Sequence, residues 1–213
     1  MKSRVVAIAG AGFVLAAVVC LPVAAEAVAQ PCSDVEVVFA RGTNEPPGVG
    51  IVGQAFVDAL SSQVGGRSVG VYAVDYPASD NYLSSAANGS DDALAHIQDV
   101  VAGCPSTKVV LGGYSQGAAV TDLATAAMPP QVADRVAAVA LFGTPSSAFS
   151  SMLAGGEQLP TTSPAYAAKT IDLCMDGDPI CSPGANMLAH MSYVQSGMTD
   201  QAASFAATKI DQR

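Results

Sequence analysis

Val109-Val110-Leu111-Gly112-Gly113-Tyr114-Ser115-Gln116-Gly117-Ala118-Ala119-Val120 changes character at one residue. Val109-Val110-Leu111 reads as a buried strand, the residues from Gln116 onward read as a helix, and the two meet at Ser115. Strand, sharp turn and helix form the context in which G-x-S-x-G works as a nucleophile elbow. Gly113 and Gly117 leave room for a tight backbone turn around a serine held at unfavourable φ/ψ. The following helix brings N–H groups and the positive end of its dipole to where an oxyanion would develop. The motif alone arises by chance in Gly- and Ser-rich chains, so the flanking strand and helix carry the reading.

Outward from this turn, short β-branched runs alternate with helical patterns. Strands are expected at 35–40, 69–74, 108–112, 136–142 and 170–173. Helices are expected at 50–64, with Ile51, Phe56, Leu60 and Val64 as its apolar face, at 116–128 before Pro129-Pro130, and at 199–210. Another is expected to start at a Ser90 cap, its first turn carrying Asp91 and Asp92. Near-continuous apolar strands alternating with helices predict an α/β protein: a three-layer α/β/α sandwich around a central, mostly parallel five-stranded sheet. No internal repeat, charged run or linker divides the chain.

The 213 residues are 50% hydrophobic and 13% charged, with a net charge of −9. That composition argues against disorder, and the acidity against binding a phosphate backbone, so no nucleic-acid partner is expected. Lys2 and Arg4 precede an apolar run through Val23 and small-residue sites at Ala25-Glu26-Ala27 and Ala27-Val28-Ala29. This is the layout of a secretory signal peptide over residues 1–29, leaving one domain over 30–213. The run is about 18 apolar positions long, marginal for a bilayer core of about 30 Å, so an uncleaved anchor is the weaker reading. Cleavage removes Lys2, Arg4 and Glu26, leaving seven basic and seventeen acidic residues. It also removes Cys20, leaving Cys32, Cys104, Cys174 and Cys181. Four cysteines in an exported chain read as two disulfides with three possible connectivities. Cys174 and Cys181 are close enough for a local bridge, which pairs Cys32 with Cys104. A zinc site is the rival, weakened by the absence of C-x-x-C and by only two histidines.

A nucleophilic serine needs a base. His96 precedes Ser115 and reads as an ordinary surface or interface histidine. His190 follows it, in the chain order Ser, acid, His used by α/β-hydrolases. The acid would lie between them, where Asp172, Asp176 and Asp178 are candidates. Asp176 and Asp178 fall inside the proposed Cys174–Cys181 loop, and the residues alone leave Asp178 only modestly ahead.

Phe39-Ala40-Arg41-Gly42-Thr43, Gly113-Tyr114-Ser115-Gln116-Gly117, Cys174-Met175-Asp176-Gly177-Asp178-Pro179-Ile180-Cys181 and Ala189-His190 together resemble the cutinase family, most closely its secreted mycobacterial members. The resemblance spans the mature chain and includes both disulfides. It implies Ser115 as nucleophile, Asp178 as acid and His190 as base. It also implies an oxyanion hole from the backbone N–H groups of Thr43 and Gln116. Pro179 stands where other members vary, and its missing N–H leaves one fewer donor near the acid.

The implied activity is a secreted serine esterase acting through an acyl-enzyme on short- to medium-chain esters, without metal or organic cofactor. A phospholipase, lipase or acyltransferase with the same triad is the alternative. A binding protein or surface antigen that has lost turnover is the alternative of another class. The expected partner is an ester substrate, with no stable membrane insertion after cleavage and a monomeric chain. The expected location is extracellular, with cell-wall association left open. The 26 residues from Gly143 to Ala168 are the only stretch that could build a lid, so an open nucleophile is expected. Met187, Leu188 and Met191, with Tyr82 and Leu83 opposite, are candidate apolar lips.

Overall fold

The computed structural model describes residues 32–212, and the leader expected over residues 1–29 lies outside the described residues. Strands β1 (Val35–Ala40), β2 (Val69–Ala73), β3 (Lys108–Tyr114), β4 (Val136–Phe142) and β5 (Thr170–Leu173) form one sheet in the order β2-β1-β3-β4-β5. Every pairing is parallel. The three-layer architecture and the five strands expected from the alternating pattern are those observed, and the sheet is parallel throughout.

Parallel strands need crossovers, and the crossover helices cover both faces. On one face α1 (Gly50–Gln63) and α7 (Met198–Asp211) pack over Val37, Phe39, Val110, Ala138 and Phe142. The alternate residues Val38, Ala40, Leu111, Val139 and Leu141 turn to the other face, beneath α2 (Tyr82–Gly103) and α3 (Gln116–Ala127). Phe39, Phe56 and Phe142 form a triangle with ring centroids 6.0 to 6.3 Å apart at the centre of the first layer. Truncating any of these rings to alanine should cost about 3–5 kcal/mol. The Cys32–Cys104 bridge ties the start of the described chain to the end of α2 across 72 residues. In the chain-entropy model such a loop closure is worth about 4 kcal/mol. Among the described residues, no helix is long and apolar enough to cross a membrane.

Two sequence expectations are corrected. Helix α2 begins at Tyr82, and Ser90 lies inside it, buried, instead of capping it. The residues before Ser90 are rich in Ser, Asn and Gly, but Ser85, Ala86, Gly89 and Ser90 form a face of small residues that lets α2 approach α3 and Tyr76 closely. Tertiary packing outweighs the low helix propensity of Ser, Asn and Gly. In α1, Val52 supplies the core contact expected of Ile51, which is 75% exposed. The stretch after β4 also carries more structure than expected: α5 (Ala148–Leu153) and a 3₁₀ turn at Pro164–Lys169. A further short helix, α4 (Pro130–Ala133), starts on the proline pair that ends α3.

Candidate active site

The site sits at the carboxyl ends of the central strands, where ligands bind in open α/β sheets. Strand β3 ends at Tyr114 and α3 begins at Gln116, leaving Ser115 as the single residue of the turn. Its φ of 55° and ψ of −119° are strained for a side-chain-bearing residue, a conformation that costs about 1–3 kcal/mol. The flanking glycines explain how the chain holds it. A Cβ on Gly113 would lie 2.1 Å from the Gly117 carbonyl oxygen, and one on Gly117 would lie 2.0 Å from the Ala40 oxygen. The Ser115 N–H donates to the Phe142 carbonyl at 2.8 Å, pinning the elbow to the end of β4.

His190 ends the short helix α6 (Met187–His190), whose start is capped by Asn186 accepting from the Leu188 N–H at 3.1 Å. Its Nε2 lies 2.9 Å from Ser115 Oγ, and its Nδ1 lies 2.7 Å from Asp178 Oδ2. An ionised carboxylate only accepts, so the ring proton sits on Nδ1 and Nε2 offers its lone pair to the serine hydroxyl. The Tyr114 ring stacks against the imidazole at 5.0 Å, and its hydroxyl donates to the His190 carbonyl at 2.7 Å. Tyr114, the residue before Ser115, thus holds the histidine.

Asp178 is fully buried, in the loop closed by the Cys174–Cys181 bridge. Its Oδ2 accepts from His190 and from the Tyr193 hydroxyl at 2.6 Å, and its Oδ1 accepts from the Ile180 N–H at 2.8 Å. Burial alone would raise its pKa, but the bonds from His190, Tyr193 and Ile180 outweigh that and hold it below the ordinary carboxylate value. The donor missing at Pro179 is thus replaced one residue later. The loop is anchored from outside by α5 and the turn before it. Ser146 N, Ser147 N and Ser150 Oγ all donate to the Ile180 carbonyl, at 3.1, 3.2 and 3.0 Å.

Thr43 lies in the turn after β1. Because Ala40 pairs with Gly113 across the parallel ladder, the turn emerges beside Ser115. Its neighbours are tightly bonded. The Gly42 N–H donates to Glu45 Oε2 at 2.7 Å and the Asn44 N–H to the Ala78 carbonyl at 2.7 Å. Buried Arg41 donates to the Glu45 and Tyr76 carbonyls at 2.9 and 2.7 Å, and the Tyr76 hydroxyl donates back to the Arg41 carbonyl. Gln116 is also fully buried, its side-chain amide fixed by Ser85 and the Ser79 carbonyl at 3.0 and 2.9 Å.

A cleft of about 640 Å³ contains Ser115 and His190. Ile51, Leu153, Ile180, Met187, Met191 and Val194 give it apolar walls, with Thr43, Glu45, Asp80 and Tyr82 also lining it. Of the lips expected from sequence, Met187, Met191 and Tyr82 line this cleft. Ser115, Asp178, His190 and Thr43 are brought together. Asp176 is exposed, and Asp172 accepts from Thr144 at 2.7 Å instead of reaching the histidine. His96 stacks on Tyr72 and pairs with Glu36 at the start of β1, away from the strands' carboxyl ends. Sequence reading missed Tyr193, Glu45, Ile51 and Leu153. Only Tyr193 had a local signal, standing three residues after His190.

The family model described as Cutinase matches residues 31–210. Carboxylesterase Culp1 of Mycobacterium tuberculosis is 69% identical over 183 residues, covering 86% of this chain and 84% of that protein. Phospholipase Culp4 of the same organism is 48% identical, covering 97% of this chain and 92% of its own. Among solved structures, Trichoderma reesei cutinase in complex with a phosphonate inhibitor superposes with a TM-score of 0.69 at 37% identity. That match covers 84% of this chain and 78% of the other.

Proposed function

The chain belongs to the cutinase family, and from that premise we propose a carboxylic ester hydrolase that works through an acyl-enzyme on Ser115. The observation that carries the proposal is the unbroken chain from Ser115 Oγ through both His190 nitrogens to Asp178 Oδ2, with links of 2.9 and 2.7 Å. His190 takes the hydroxyl proton as Ser115 attacks the ester carbonyl, and Asp178 stabilises the imidazolium that forms. The backbone N–H groups of Gln116 and Thr43 receive the oxyanion, each donor being worth on the order of 10² to 10³ in rate. His190 then protonates the leaving alcohol and activates the water that releases the acid.

The apolar cleft walls favour short- to medium-chain acyl groups over small polar ones. Export of the chain is part of the proposal, supported by the leader-like sequence before Gln30 and by two disulfides. The 48% identity to a phospholipase gives a second reading a specific basis, namely the same triad acting on a glycerophospholipid.

Initial rates on p-nitrophenyl esters from acetate to palmitate, with phosphatidylcholine in parallel, test this. Best turnover at butyrate to octanoate, abolished in Ser115→Ala, is the expected result. Preference for phosphatidylcholine would move the assignment to the second reading. Absence of hydrolysis on every ester would leave a binding protein with a hydrolase fold. Sequencing the N-terminus of protein recovered from culture medium tests export and the cleavage position.

A further inference from the structure

The acid loop is held from within by one phenol. The Tyr193 hydroxyl donates to Asp178 Oδ2 at 2.6 Å and accepts from the Met175 N–H at 3.2 Å, while Cys181 Sγ lies 3.5 Å away. A single oxygen therefore touches the eight-residue disulfide loop near its start, at its acid and at its end. Tyr193 is wholly buried, and its ring stands edge-on to His190, Tyr114 and Phe142. We propose that Tyr193 is a positioning residue of the triad, which shares Asp178 Oδ2 with His190 and thereby sets both the aim and the basicity of the imidazole.

Oδ2 accepts two donors at once, so the charge that Asp178 offers His190 is divided. Removing the phenol hydroxyl concentrates that charge on the imidazole and strengthens the charged Asp178–His190 pair relative to the neutral one. It also frees one of the carboxylate's two non-histidine anchors, leaving only Ile180 N–H on Oδ1. Among the described residues, Tyr114 on β3 is the other titratable side chain packed on the pair, its ring stacked on His190 at 5.0 Å and edge-on to Tyr193, and it is the same residue in every variant compared. This inference rests on the triad reading of Ser115, Asp178 and His190.

The test compares kcat and KM for p-nitrophenyl butyrate across pH in wild type, Tyr193→Phe and a protein carrying 3-fluorotyrosine at 193. Tyr193→Phe should lower kcat about tenfold, leave KM within twofold, and move the acid limb of kcat/KM up by about half a pH unit. 3-Fluorotyrosine keeps the fold and donates more strongly, so its acid limb should move down. Tyr166→Phe, which loses another buried hydroxyl bonded to Met128 Sδ at 2.9 Å, should leave the limb in place. In an Asp178→Asn background, Tyr193→Phe should bring no further loss of kcat. An unmoved limb in both Tyr193 proteins, or additive losses in the double variant, overturns the proposal. If Tyr193→Phe fails to fold, the 3-fluorotyrosine protein decides. Fluorophosphonate labelling of each preparation keeps the two ideas apart. Wild type unlabelled at Ser115 overturns the triad reading itself, whereas labelled wild type with unmoved limbs overturns the role of Tyr193 alone.

Discussion

His190 Nδ1 and Asp178 Oδ2 lie 2.7 Å apart, the carboxylate fully buried behind an imidazole that lines the cleft, and the carboxylate fixes which imidazole nitrogen carries the proton. Asp178→Asn keeps the shape but offers either an amide N–H or a neutral oxygen, so the favoured tautomer is lost. Steady-state kinetics should show kcat reduced by about four orders of magnitude. Circular dichroism should remain that of wild type. A loss below tenfold would mean that Asp178 is not the orienting acid.

Gly143 is the residue on which β4 leaves the sheet, with φ +62°. A Cβ there would lie 3.0 Å from His190 Cε1, 3.0 Å from the Tyr193 hydroxyl and 3.2 Å from Asp178 Oδ2. Gly143→Ala therefore meets a backbone penalty of about 1–2 kcal/mol and presses on three members of the site. Denaturant titration should show that destabilisation, and kcat/KM should fall at least tenfold. Wild-type values for both would contradict the geometry described for this corner.

Asp122 lies buried in α3, with Oδ1 accepting from Thr162 and Oδ2 without a hydrogen-bond partner among the described residues. Burial pushes its carboxyl up to about 7, and the Thr162 bond only partly offsets this. Because the folded value exceeds the unfolded one, Asp122 costs nothing below about pH 4. Its penalty grows as pH rises from there and is complete above pH 7. Asp122→Asn should therefore stabilise the protein at pH 8 by up to roughly 4 kcal/mol, with the gain fading toward pH 4. Urea titrations at pH 4, 6 and 8 check the slope. A gain independent of pH would show that Asp122 does not titrate in this range.

The elbow and the sheet were readable in sequence because their signals are local. Val109-Val110-Leu111 before Ser115, and the helix after it, change period where the chain turns. Asp178 was less readable. Three aspartates share the region, and what separates them is which carboxylate a strand end and a disulfide turn toward His190. Residues alone left Asp176 open, and the family pattern pointed to Asp178. The first turns of α2, before Ser90, were hidden for the opposite reason. Ser85, Gly89 and Ser90 look like loop residues until the helix they pack against is in view. Ile51 and Leu153 come to the cleft from segments about a hundred residues apart, and no spacing rule links them.

The central claim is that Ser115 is a nucleophile activated by His190. Mass spectrometry of the protein after reaction with a fluorophosphonate tests it most directly. One phosphonyl adduct per chain is predicted, mapped to Ser115 in the peptide that contains Gly113-Tyr114-Ser115-Gln116-Gly117. The adduct should be absent in Ser115→Ala and formed at least a hundredfold more slowly in His190→Ala. An adduct on another residue, or none on protein that hydrolyses esters, would contradict the account.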